Sequence, residues 1–200
     1  MTLESSYIAS SSNDLYQTTL SKTTGDVIAV NPSEEQIAAL VTVVDQLQEL
    51  PTVRILAQES VARWLRNDFV LASTAADAIA AGNLSLRIDS SLHRNSLMVT
   101  PEAVATIVSA GDQIARLVTE DDDFIESARE KWNEQWDSAA EFSLRTPPRS
   151  VIHNSLTEEI GEEVDADFQV MVNSIDTTRD TDLIDEVTMS LLAAAKHGIQ

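Results

Sequence analysis

The chain has 200 residues, of which 43 % are apolar, 33 are Asp or Glu and 13 are Lys or Arg; the formal net charge is −20 and there is no cysteine. An apolar fraction of that size over this length builds a real core and excludes a disordered chain, and the missing thiols exclude disulfides, thiolate catalysis and cysteine-based metal sites. The acidic excess would strain a compact chain in dilute salt but suits molar salt, which screens charges within roughly 3 Å, so it predicts the cytoplasm of an extreme halophile.

In dilute salt the same charge would argue against nucleic acid, but in molar salt the counterion-release contribution is already small and the argument weakens. Met1–Ser12 carries Glu4 and serines where an export signal needs basic and apolar runs, and no apolar run is long enough to span a bilayer. The sequence therefore predicts no membrane contact.

Residues 1–25 are rich in Ser and Thr and only weakly patterned. Asp26 to Val30 reads as a strand, and Asn31-Pro32-Ser33 opens a helix with Glu34 and Glu35 in its first turn and an apolar stripe of Ile37, Leu40, Val41, Val44 and Leu47, ended by Pro51. Val53 to Ala57 reads as a second strand. Helical spacing follows from Ser60 to Trp64 and from Phe69 to Ala81, closed by Gly82-Asn83, before an alternating strand at Leu84, Leu86 and Ile88. This β-α-β-α-β order predicts parallel strands with crossover helices.

The period then changes. Ser96 to Thr100, Ala103 to Ser109 and Gln113 to Thr119 are short β-branched runs, the last two joined by a tight turn at Ala110-Gly111-Asp112, and they predict an antiparallel meander on the parallel sheet. Thr119-Glu120-Asp121-Asp122 matches a capping pattern for a helix to Ala140 with the stripe Phe124, Ile125, Ala128, Trp132 and Trp136. Trp132 and Trp136 lie one turn apart, suited to packing on the sheet or, as the alternative, to stacking on a ligand. The run from Phe142 to Pro148 breaks the helical pattern. Beyond it come helical segments at Val151 to Ile160, Val164 to Ile175 and Leu183 to Ile199. The predicted class is α/β: a mixed sheet of parallel β-α-β-α-β units extended by an antiparallel meander, with a carboxy-terminal helical segment.

Sites for chemistry are few. His93, His153 and His197 stand far apart with no ligand at helical spacing, and the five glycines form no phosphate loop. Asp121-Asp122-Asp123 with Glu126 could hold a hard cation but reads better as a solvated acidic helix start. No Gly-x-Ser-x-Gly is present. We expect no catalytic, cofactor-binding or metal site. Arg145 and Arg149 flank Pro147-Pro148 and are candidate effector or anion contacts, against ion pairing within the chain. The stripes Val164, Phe168, Met171, Val172 and Ile175, and Ile184, Val187, Leu191 and Leu192, are a candidate dimer surface, against packing within one chain.

The segments Asn95–Val104 (NSLMVTPEAV), Ser109–Gln113 (SAGDQ), Val118–Phe124 (VTEDDDF), Phe142–Pro148 (FSLRTPP) and Asp185–His197 (DEVTMSLLAAAKH) resemble those of the haloarchaeal TbsP-type transcriptional regulators. The resemblance implies an amino-terminal α/β domain followed by a winged helix-turn-helix that binds promoter DNA. The segment Asp185–Gln200 is similar to the first helix of that winged domain, so the recognition helix is expected after Gln200. The α/β part also resembles phospholipase-D-like effector domains of archaeal sugar regulators. Enzymes of that class need His-x-Lys, and His93-Arg94-Asn95 lacks the lysine, so no enzyme is expected.

The expected organisation is a weakly patterned segment over 1–25, a sensor-like α/β domain over 26–142, a helical connector over 143–182 and the first helix of a winged helix-turn-helix over 183–200. The expected function is the sensing and dimerising part of a haloarchaeal regulator, a homodimer that answers a small-molecule effector and reaches promoter DNA through the full-length protein. The alternative is a non-catalytic interaction module that pairs with full-length regulators without touching DNA.

Overall fold

A computed structural model describes residues 6–47, 51–92, 95–110 and 113–176. Ser33 starts the first predicted helix through a capping box: its hydroxyl accepts from the Gln36 N–H at 3.2 Å, and the Gln36 side chain accepts from the Ser33 N–H at 2.9 Å. The strand before it, β2 (Val27–Val30), is buried at every position. That run marks a strand covered on both faces.

The other elements in chain order are β1 (Ser6–Ala9), α1 (Ser12–Leu20), α2 (Glu34–Gln46), β3 (Val53–Ala57), α3 (Glu59–Asn67), α4 (Phe69–Ala80), β4 (Leu84–Ile88), β5 (Leu97–Val99), β6 (Val104–Ala110), β7 (Gln113–Thr119), α5 (Asp122–Ser138), β8 (Ala140–Glu141), α6 (Arg149–Glu159) and α7 (Glu162–Asp176). The strands form one mixed sheet in the order β1-β7-β6-β5-β2-β3-β4-β8. Among the described residues only β2, β3 and β4 pair in parallel; the remaining pairs are antiparallel. The predicted α/β class and mixed sheet are therefore observed.

Alternation sorts the two faces. Val27, Ala29, Val53, Ile55, Ala57, Met98, Ala105 and Ile107 join Leu15, Ile37, Leu40, Leu65 and Leu71 of α1 to α4 in the main core. Ile28, Val30, Val99 and Val104 face the other way and meet Ile125 of α5, with Ala128 and Trp132 partly buried beside them.

Three sequence readings change. The weakly patterned first 25 residues contain β1 and α1, whose Leu15, Tyr16 and Leu20 are fully buried. Ser11 caps α1 by accepting from the Asp14 N–H, and the Ser12 hydroxyl donates to Glu35 Oε1 at 2.9 Å, tying α1 to α2. The second helix ends at Gln46, ahead of Pro51. The cap of α5 is Asp121, which accepts from the Phe124 N–H at 2.9 Å, while Thr119 closes β7 and accepts only weakly from Asp121 N at 3.4 Å.

Gly82 ends α4 as expected: at φ +78° its N–H reaches Ile79 O, and Asn83 N–H reaches Ala78 O. Ala110 pairs with Gln113, as a two-residue hairpin requires, although the turn residues 111–112 lie outside the described residues. So do His93, His197 and the helix expected at Leu183 to Ile199.

Candidate functional site

Two features beyond the sheet core carry functional interest: the seat of the carboxy-terminal helices on α4, and a cavity on the opposite face.

The strap from Phe142 to Pro148 is bound to the α/β domain, with Leu144 buried in the main core and the Arg66 guanidinium 5.4 Å from the Phe142 ring. Arg145 follows in a left-handed conformation, φ +60°, and is exposed. Pro148 then heads α6 with no side-chain cap of its own. Asp77 of α4 supplies the missing acceptor: its carboxylate takes hydrogen bonds from the Ser150 N–H at 3.1 Å and from the Ser150 hydroxyl.

Phe168 of α7 is 2 % exposed and meets Phe69 of α4 edge to face, ring centroids 6.5 Å apart. Val70, Ile152, Leu156 and Val172 complete this satellite core. A polar ladder crosses from α6 to α7. The Arg149 guanidinium donates to Gln169 Oε1 at 2.7 Å, and His153 Nδ1 lies 2.7 Å from Oδ2 of buried Asp165.

These contacts place the sequence candidates. Arg149 is engaged within the chain, whereas Arg145 points from an exposed bend. Phe168 and Val172 of the apolar stripe are buried against α4 and α6, and Val164 is buried as well, so their area is taken up inside one chain. Ile184, Val187, Leu191 and Leu192 lie outside the described residues, as does the side chain of Met171 and that of Ile175. His153 serves the contact between α6 and α7. No group of three or more His, Asp or Glu able to hold a metal occurs among the described residues.

The two tryptophans of α5 divide their roles. Trp136 is buried, with the guanidinium carbons of Arg54 and Arg87 at 5.7 and 5.0 Å from its ring. Arg87 also donates to Trp136 O at 2.7 Å, satisfying an end carbonyl of α5. Trp132 instead walls a cavity of about 470 Å³ between α5 and the antiparallel half of the sheet. Strand residues Leu97, Val104, Thr106, Leu117 and Thr119 form its floor, and Phe124, Ser127, Ala128 and Lys131 join Trp132 on the helix side. Spacing on α5 offered Trp132, Ala128 and Phe124 as one stripe; the strand half of the wall has no local signature.

After β4, the Asp89 carboxyl is held below its ordinary value: partial burial pushes it up, but hydrogen bonds from the Ser91 hydroxyl and N–H and from Gln135 outweigh that effect.

A model of the amino-terminal region of TbsP-like transcriptional regulators matches residues 4–147, and a model of their carboxy-terminal HTH domain matches residues 148–200. This chain belongs to the TbsP-like transcriptional regulators. The HTH match begins at the head of α6, so α6 and α7, read from sequence as a connector, lie within it. The family is one of regulators, not of enzymes. Among the described residues no helix is long and apolar enough to cross a membrane.

None of the curated proteins matches this sequence. Among solved structures, the archaeal chromatin protein TrmBL2, described as showing a novel mode of DNA binding, is similar at 15 % identity and TM-score 0.49, covering 71 % of this chain and 55 % of its own. Nuc, a phospholipase D family member from Salmonella typhimurium, gives 16 % identity, TM-score 0.46 and coverages of 69 % and 97 %. NucT from Helicobacter pylori gives 11 %, 0.44, 68 % and 98 %. The chain thus spans little more than half of the TrmBL2 chain.

Proposed function

We propose that this TbsP-like regulator controls transcription in the salt-rich cytoplasm of a haloarchaeon, occupying promoter DNA through its HTH region while its α/β domain senses an effector. The observation that carries the reading is the continuity of the two parts: the region matched to the HTH domain is seated on α4 through Phe168 and Asp77. A change in the α/β domain therefore has a path of packed side chains into the HTH region. Homodimerisation through the remaining apolar stripe, Met171 and Ile175 with Ile184, Val187, Leu191 and Leu192, belongs to the same proposal, with Arg145 and Arg149 as anion contacts. The net charge of −20 favours a second reading, an interaction module that pairs with full-length regulators and leaves DNA to them.

Footprinting of the native full-length regulator on its own promoter in 2 M KCl separates the two. Protection of a discrete site supports the regulator. Co-purification with a longer relative and no protected site supports the module. Thermal stability should rise with KCl, and a midpoint that does not move between low and molar salt removes the halophilic part of the proposal.

A further inference from the structure

We propose that the cavity between α5 and the antiparallel half of the sheet binds a small organic acid, an apolar body carrying one carboxylate, with Lys131 as the residue that selects the charge. This rests on the regulator reading above, to which it adds a place and a chemistry for the effector.

The cavity, about 470 Å³, falls within the roughly 300–1,000 Å³ of small-molecule sites. Leu97, Val104, Leu117, Ala128 and Trp132 make its wall apolar, which fits a hydrocarbon or aromatic body. A sugar or polyphosphate would lose its hydration there without enough partners in exchange.

Charge is sorted around it. The 17 residues of α5 include six acids, Asp122, Asp123, Glu126, Glu130, Glu134 and Asp137, yet none lines the cavity. Among the described residues the one charged lining residue is Lys131, one of only three lysines in a chain of net charge −20. Its ammonium lies 4.7 Å from the centre of the Trp132 ring, held at the rim by cation–π attraction with no carboxylate in ion-pair reach among the described residues. The hydroxyls of Thr106, Thr119 and Ser127 add hydrogen-bonding groups to an otherwise apolar lining.

Leu117 and Phe124 are about half exposed on the lining, so the cavity offers apolar area to an occupant. A second copy is the poorer occupant. In a two-fold contact the same acid-free patch meets itself, and both Lys131 ammoniums lose water without gaining a carboxylate.

The test is calorimetric titration of the full chain in molar KCl with 4-phenylbutyrate and its neutral amide as probes. The expected result is saturable binding at one site, with the amide weaker by about tenfold, the scale of one charge-assisted contact. Lys131→Met, at an exposed position, should bring the acid down to the amide and leave the amide unchanged. Thr106→Trp, filling the cavity, should abolish both. Equal affinity for acid and amide, or either variant binding like the wild type, overturns the proposal. So does absence of binding with a dimer, seen by light scattering, that Leu117→Glu dissociates; the patch would then belong to a second copy. No DNA enters the titration, so a null result leaves promoter occupancy standing, and an absent footprint leaves the ligand site standing.

Discussion

Replacing Phe168 with Ala tests whether the carboxy-terminal helices are held to the α/β domain by one small core. Phe168 is 2 % exposed, and its neighbours are few: Phe69 and Val70 on α4, Ile152 and Leu156 on α6, and Val172 on its own helix. Truncating a buried Phe costs about 3–5 kcal/mol. The polar link that remains to α4, Ser150 to Asp77, contributes about 1 kcal/mol, while the His153–Asp165 contact joins α6 to α7 and does not hold the pair to the α/β domain. The truncation thus removes more than the remaining links supply, and α6 and α7 should detach while the sheet stays folded.

Native-state hydrogen exchange reads this directly. Amides of Ile152 and Leu156 should exchange on the order of 100-fold faster in Phe168→Ala, while those of Ile55 and Leu56 in β3 keep their protection. A double-mutant cycle with Phe69→Ala should return a coupling of about 0.5–1.5 kcal/mol for the edge-to-face pair. The reasoning is refuted if β3 loses protection in step with α6, or if the α6 amides accelerate by less than about tenfold.

Asp77→Ala should lower stability by about 1–2 kcal/mol in denaturant unfolding, with the early loss confined to α6, because it strips the first turn of that helix of its only capping carboxylate among the described residues. Arg87→Ala should cost about 2–3 kcal/mol, read as a lower thermal midpoint, since one guanidinium both bonds an end carbonyl of α5 and lies over Trp136; Arg87→Lys should restore only part of it. The Tyr16 hydroxyl is held above its ordinary value of 10.0 first by burial and then by the Glu35 charge. A raised folded pKa stabilises fully below the unfolded value and is lost as pH climbs beyond it, so stability should fall by up to about 1.4 kcal/mol per pH unit above pH 10. Tyr16→Phe should lack that share of the alkaline slope in urea titrations, and an unchanged slope would rule out the tyrosine as its source.

Signals that act within a few residues were legible. The helix start at Asn31-Pro32-Ser33, the β-branched runs, the stop at Gly82-Asn83 and the change of period after Ile88 each depend on neighbours in the chain, and together they specify a mixed sheet with crossover helices. Arg145 and Arg149 were visible as the main basic pair but not their fates, because one guanidinium's partner, Gln169, comes from the next helix. The stripe containing Val164, Phe168 and Val172 was visible as apolar but not its partner, since an apolar face reads the same whether α4 or a second chain covers it.

The sequence by itself determined the elements with strong period, their order, the acidic surface and the family likeness. Tertiary structure decided the rest. The Ser- and Thr-rich start of the chain carries no clear apolar period, and β1 and α1 hold because Ile8 pairs with Ala115 and Ser12 reaches Glu35. The cap of α6 comes from Asp77, 73 residues from Ser150 in the chain. The cavity exists only where the strands β5 to β7 and α5 converge, and packing geometry between distant segments leaves no mark on either segment alone.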